Sequence, residues 1–216
     1  MGRWMRFLVR ICVIVFLLSI FGALVAVGAG VYGLWHYGRD LPDYKQLADY
    51  EPPTVTRLHA GDGRLIAEYA KERRVFVPVS AMPRRVKQAF IAAEDQNFYS
   101  HYGVDLVALA RAMVMNVANY ARGRRPVGAS TITQQVAKNF LLTNEVSIER
   151  KIKEAILAFR IERALTKDRI LELYLNEIYL GYGSFGVAAA ALNYFNKSMD
   201  ELTTAEVAYL AALPKA

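Results

Sequence analysis

The sequence predicts a mainly α-helical domain with a small strand element on its N-terminal side, preceded by one transmembrane helix. Three observations carry this. Residues 11–35 contain no charged side chain. From Ser80 onward, apolar residues recur at helical spacing behind capping residues. Between these regions, short apolar runs flank the turn signal Gly61-Asp62-Gly63.

About 20 apolar residues span a bilayer as a helix, so residues 11–37 read as an anchor and 1–10 as a cytoplasmic tail. Arg3, Arg6 and Arg10 hold that tail in the cytoplasm, and Tyr32, Trp35 and Tyr37 close the span with aromatics. A cleaved signal peptide would have a shorter apolar core, and Ala26-Val27-Gly28 is only a passable cleavage site. The predicted localisation is therefore the cell inner membrane, single-pass, with the domain on the periplasmic side. Residues 38–53 form a polar, Pro-containing connector, and 54–216 have the size of one domain. The only cysteine, Cys12, lies in the anchor, which leaves no disulfide or thiolate metal site in the domain. The net charge of +7, beside a membrane, suits anionic headgroups or phosphates. No nucleic-acid motif is present, and no nucleic-acid partner is expected.

Residues 54–78 read as two or three short strands, built from Val55, Arg57 and Leu58, then Leu65, Ile66 and Tyr69, then Val75, Phe76 and Val77. Ser80 is the expected cap of a helix that carries Pro83 in its first turn and runs to about Asp95. Asp105 caps the next, with Leu106, Leu109, Ala110, Met113 and Val117 on one side and Gly123 past its end. Ser130 is the expected cap of a third helix to about Leu142, and Ser147 of a fourth to about Leu165. Thr166 begins a fifth that stops at Gly181, and a sixth covers 185–196. Thr203 with Glu206 forms a capping box for the last.

Candidate chemistry falls in three places. Glu94 and Asp95 end the apolar run 90–93, with Phe98 and His101 following within two turns. An acid in apolar company is costly unless paired, and is a candidate proton donor or acceptor. Residues 128–139 combine small residues with Ser130, Thr131, Gln134, Gln135 and Lys138. Hydroxyls, amides and a cation at a helix start suit a ligand bearing sugar hydroxyls and phosphates. On the fourth helix, Ile148, Ile152, Ala155, Ile156 and Phe159 form one stripe. Arg150, Lys151 and Glu154 cluster opposite, within about 100° of each other. In isolation that cluster also reads as a solvated face with an ordinary i,i+4 contact.

In order, these segments resemble the glycosyltransferase domain of class A penicillin-binding proteins, the peptidoglycan polymerases, whose helical architecture is lysozyme-like. The family pattern E-D-x-x-F-x-x-H-x-G falls on Glu94, Asp95, Phe98, His101 and Gly103. G-G-S-T-I-T-Q-Q falls on residues 128–135, and R-K-x-x-E on Arg150, Lys151 and Glu154. K-x-x-I-L-x-x-Y-L-N falls on Lys167, Ile170, Leu171, Tyr174, Leu175 and Asn176, and residues 185–189 and 212–216 match the closing segments. Ala129 departs from the usual second glycine. Val146 departs from an arginine, which removes one potential phosphate contact.

The resemblance implies polymerisation of lipid II onto a lipid-linked glycan strand, with inversion and release of undecaprenyl pyrophosphate. It implies Glu94 as general base. Asp95, Phe98, His101, Ser130, Thr131, Gln134 and Gln135 would bind substrate. Lys138, Arg150 and Lys151 would face the pyrophosphate, and Glu154 would position those cations or hold a divalent metal such as Mg²⁺. It further implies contact with the phospholipid membrane and sensitivity to moenomycin-type inhibitors. Residues 55–77, including 61–68, resemble the bifunctional branch, so a transpeptidase domain is expected C-terminal to this segment. No Ser-x-x-Lys motif occurs within it. Two rivals stand beside this reading. A lysozyme-like peptidoglycan hydrolase needs no pyrophosphate-binding cations. A non-catalytic membrane scaffold need not keep Glu94 or Glu154.

Overall fold

The computed structural model describes residues 2–39, 41–48, 50, 56–62, 64–69, 73–143, 145 and 147–215. Thr54, Val55, Gly63, Val146 and Ala216, all used in the sequence reading, lie outside them. The chain forms two units, residues 1–41 and 42–216.

The first unit is helix α1 (Arg3–Gly38), 36 residues and long and apolar enough to cross a membrane. It starts earlier than the apolar run because Arg3, Arg6 and Arg10 are themselves good helix formers. Near its end Tyr32 stacks on His36, and the Arg39 guanidinium lies 4.7 Å over Trp35.

The second unit is mostly helical. Strands β1 (Thr56–His59) and β2 (Leu65–Tyr69) pair antiparallel on either side of the turn at Gly61-Asp62, as the sequence indicates. The third strand departs from expectation. β3 is Arg73–Arg74, and it pairs in parallel with the distant β4 (Ser184–Phe185). Residues 75–78 stay extended without a strand partner because side chains take their backbone groups. Val77 exchanges two 2.9 Å bonds with the Asn176 amide, and Val79 N–H donates to Glu172.

Helix α2 (Arg84–Glu94) begins behind Pro83, not at Ser80. Proline drives the residue before it out of the helical region, and Met82 is extended at ψ 131°. Ser80 instead sits in a 3₁₀ turn, Val79–Ala81. Helix α3 (Leu106–Ala121) is capped by Asp105, whose side chain accepts from Ala108 N–H, and Gly123 lies past its end at φ 61°. Its apolar stripe is not core. Ala112 is its one buried residue, whereas Leu106, Val107, Met113, Val114, Val117 and Tyr120 are exposed.

Helix α4 (Ile132–Leu141) is capped by Thr131, one residue later than expected, in a reciprocal capping box with Gln134. Helix α5 (Ile148–Ala164) is capped by Ser147. Its buried face is Glu154, Leu157, Ala158 and Ile161; Ile148 and Phe159 are exposed. The stripe read from the sequence is therefore rotated off the core, because α4 meets the Glu154 side. Helix α6 (Lys167–Glu177), capped by Thr166, is the centre of the unit: Ile170, Leu171, Leu173, Tyr174 and Leu175 are at most 1% exposed. It stops at Glu177, short of Gly181, since Tyr179 turns to bridge Phe185. Helix α7 (Val187–Phe195) starts two residues later than expected because Phe185 belongs to β4. Gly186, at φ 83°, has no room for a side chain: a Cβ would lie 2.6 Å from the Asn176 carbonyl. Helix α8 (Thr204–Ala212) has the predicted Thr203–Glu206 capping box and packs on α2.

Part of the connector belongs to this unit. Residues Tyr44–Leu47 form a 3₁₀ turn with Leu47 2% exposed. Arg169 of α6 donates to the carbonyls of Leu47, Ala48 and Tyr50, and Tyr50 meets Phe140 of α4 edge-on.

Candidate active site

Helix α2 ends at Glu94, where the chain leaves the helix through Asp95 at φ −157°. This exit splits the two acids. Glu94 is half-buried, and its Oε2 accepts from the Gln135 amide of α4 at 2.8 Å. Asp95 turns inward, with its side chain 3% exposed. Its carboxylate takes His101 Nε2 at 3.0 Å and the backbone N–H of Ile132 at 3.1 Å. Ile132 opens α4, so Asp95 adds an acceptor and a negative charge where a helix N-terminus favours both.

The loop 97–103 is braced from below. Phe98 is fully buried, and the Lys167 ammonium lies 4.5 Å over its ring. Lys167 also donates to the His101 carbonyl and to Glu162, which takes the Thr133 hydroxyl. Gly103, at φ 87°, lies against the backbone of α5; a Cβ there would sit 2.7 Å from the Ala158 carbonyl carbon. Its own carbonyl accepts from the Thr131 hydroxyl.

Glu154 of α5 is 1% exposed and each of its oxygens is taken by a cation: Arg150 Nη1 at 2.6 Å and Lys151 Nζ at 2.6 Å. Lys151 also donates to Ser130 Oγ at 2.9 Å. Ser130 lies two residues ahead of α4, and Gln135 lies on its second turn. One short helix thus joins the Glu154 cluster at its start to Glu94 about one and a half turns on. Lys138, one turn past Gln134, is half-buried and has no ion pair among the described residues.

The structure thus brings together Glu94, Gln135, Ser130, Arg150, Lys151 and Glu154 around α4. It sets Asp95, Phe98, His101, Thr131 and Gln134 behind them as support. Gln134 is 8% exposed and spends its amide oxygen in the capping box. Among the described residues, no group of three His, Cys, Asp or Glu could hold a metal ion. The sequence reading gave no role to Tyr174. It is 1% exposed, and its ring meets Phe90 of α2 at 6.3 Å and 72°. Its signal was a lone hydroxyl among Ile170, Leu171, Leu173 and Leu175. Burial, and then the charge of Glu94, pushes its ionisation far above the usual tyrosine range, so it remains a phenol.

Residues 62–216 match the Transglycosylase family. The chain is 62% identical over 203 residues to penicillin-binding protein 1A of Rickettsia felis, covering 93% of this chain and 26% of that protein. It is 50% identical over 194 residues to penicillin-binding protein 1A of Escherichia coli, covering 89% and 22%. The solved structure of penicillin-binding protein 1A from Haemophilus influenzae aligns at 29% identity over 77% of this chain and 15% of its own, with a TM-score of 0.35. The chain spans about a quarter of the length of the relatives it matches. It belongs to the transglycosylase family.

Proposed function

We propose that this member of the transglycosylase family is a membrane-anchored peptidoglycan glycosyltransferase that polymerises lipid II into glycan strands. The donor is the growing strand on undecaprenyl pyrophosphate, and the acceptor is lipid II. The 4-hydroxyl of the acceptor GlcNAc attacks the anomeric carbon of the donor MurNAc from the face opposite the pyrophosphate. The new C–O bond forms as the bond to the pyrophosphate oxygen breaks, with inversion. The hydroxyl proton passes to Glu94, and the electron pair leaves on the pyrophosphate. Gln135 holds the Glu94 carboxylate in one orientation. Lys138, Arg150 and Lys151 offset the charge that develops on the leaving group. Glu154 keeps Arg150 and Lys151 in one place before substrate arrives.

The observation that carries this reading is the single helix that links a held carboxylate to a cation cluster. A glycan hydrolase has use for the carboxylate but none for the cations. The anchor fits a substrate that arrives on a lipid tail, with α1 crossing the cytoplasmic membrane and the second unit outside it. Exposed α3 is 16 residues, too short to span, and Arg122, Arg124 and Arg125 follow it. Such a helix rests in the headgroup region of an anionic bilayer.

The test is polymerisation of purified lipid II by the chain and by Glu94→Gln. The variant keeps the shape of the side chain and cannot take the proton, so turnover is expected to fall at least about a hundredfold with folding intact. Near wild-type elongation by Glu94→Gln would remove it as the base. Digestion of preformed peptidoglycan without elongation by the unaltered chain would overturn the polymerase reading.

A further inference from the structure

We propose that Tyr174 is a positioning residue for the base: its buried hydroxyl donates to the Glu94 carboxylate through one bridging water, alongside Gln135. The inference rests on Glu94 being the base. Its starting point is geometry. Helix α6 is the most buried helix of the unit, and around Tyr174 its core residues are Ile170, Leu171, Leu173 and Leu175. The Tyr174 hydroxyl is buried and has no hydrogen-bond partner among the described residues. A hydroxyl kept from water without a partner bears its full desolvation cost, which a phenylalanine would avoid.

The place of the ring gives the hydroxyl a use. Tyr174 packs edge-to-face on Phe90, and Phe90 and Glu94 lie four residues apart on α2, one above the other on the same face. The charge of Glu94 reaches the Tyr174 hydroxyl, and together with burial it keeps the proton on the phenol. A group held as O–H beside a carboxylate can act only as a donor to it.

Several charges on the elements around Glu94 are already engaged. On α2, Lys87 donates to the Val79 carbonyl and Arg85 to the Asp200 carbonyl. Asp95 is held by His101 and Ile132 N–H. From α5, Arg150 and Lys151 are paired to Glu154. On α8, packed against α2, the one charged residue is Glu206, which takes Lys197 and Thr203. From α4, Lys138 lies one turn beyond Gln134 and Gln135. On α6, Glu172 takes the Val79 N–H and Arg169, which leaves the Tyr174 hydroxyl.

A donor to an ionised carboxylate favours the ionised form, and its removal favours the protonated form. In the full chain in detergent, with purified lipid II, Tyr174→Phe should move the acid limb of the kcat/KM profile up by about one pH unit. Below both limbs kcat/KM should fall about tenfold, and by less at pH 7. Its Tm should change little, because the ring contact with Phe90 remains. An acid limb that stays in place overturns the proposal whatever the rate. A lowered Tm with an unmoved limb would make the hydroxyl a structural group only. Glu94→Gln in the same assay separates the two readings. If it turns over like wild type, the base assignment fails and the role of Tyr174 falls with it. If it is inactive while Tyr174→Phe keeps the wild-type profile, only the inference about Tyr174 fails.

Discussion

Replacing Glu154 by glutamine tests how firmly the cation cluster is built. The carboxylate is 1% exposed and accepts two charge-assisted bonds of 2.6 Å. The two cations differ in what they can do once the charge is gone. The Lys151 side chain is 50% exposed and can turn to water, so its loss is small. The Arg150 side chain is 14% exposed and cannot be rehydrated without moving α5. A hydrogen bond to a charged group contributes about 1.5–3 kcal/mol, and breaking a buried pair costs about 3–5 kcal/mol. Glutamine still offers one oxygen, so about 3 kcal/mol is expected, near the bottom of the second range. For a domain of this size each kcal/mol moves Tm by roughly 2–4 °C, which gives a fall of about 6–12 °C. Thermal unfolding in detergent reads this directly. The double variant Arg150→Met/Glu154→Leu should recover most of the loss, since packed apolar groups replace a buried ion pair at little cost. A Glu154→Gln protein within about 1 kcal/mol of wild type would refute the reasoning, because it would mean that Arg150 finds water or another partner.

Lys138→Ala and Arg150→Ala should each weaken binding of moenomycin roughly ten- to a hundredfold, measured by fluorescence titration, if their charges face a pyrophosphate. Lys153→Ala is the control, since Lys153 pairs with the exposed Glu149; Lys167 does not serve, because it braces Phe98 and His101. Equal losses in all three would refute the phosphate site. Removing residues 1–37 should leave a folded domain whose activity falls more on bilayer-embedded lipid II than in detergent, and equal activity in both would refute a delivery role for the anchor. The cut must stop before the docked turn Tyr44–Leu47. Asp105 is held below the usual carboxylate range, first by the Ala108 N–H and then by Asn97. Its contribution is therefore full above about pH 4 and is lost as pH falls through the lowered value. Asp105→Asn should be less stable than wild type at pH 7, by up to about 1 kcal/mol for the charge lost from its bonds to the Ala108 N–H and Asn97, with the gap closing in acid; a gap that is constant with pH would refute this.

Helix starts were legible where one side chain decides them. Asp105, Ser147, Thr166 and the Thr203–Glu206 box cap their helices in place because each bond closes within three residues. Ser80 and Ser130 misled where a stronger local rule stood next door: Pro83 in one case, the reciprocal Thr131–Gln134 box in the other. The pairing of β3 with β4 could not be read locally, because the partners lie more than a hundred residues apart.

The sequence by itself determined the anchor, the helical class and the residues Glu94, Gln135, Lys138, Arg150, Lys151 and Glu154 as candidates. Residue type and short-range spacing are enough for that. Only the tertiary structure decided what each one faces. On a helical wheel Glu154 is part of a polar surface; packing of α5 on α4 buries it beneath two cations. On the same kind of wheel α3 shows an apolar side, and no element of the domain covers that side among the described residues. Glu94 and Asp95 are neighbours of the same chemistry, and the backbone turn between them sends one to Gln135 and the other to His101 and the start of α4. A sequence lists side chains with their charge and size, whereas burial and partnership depend on which distant element packs against each face.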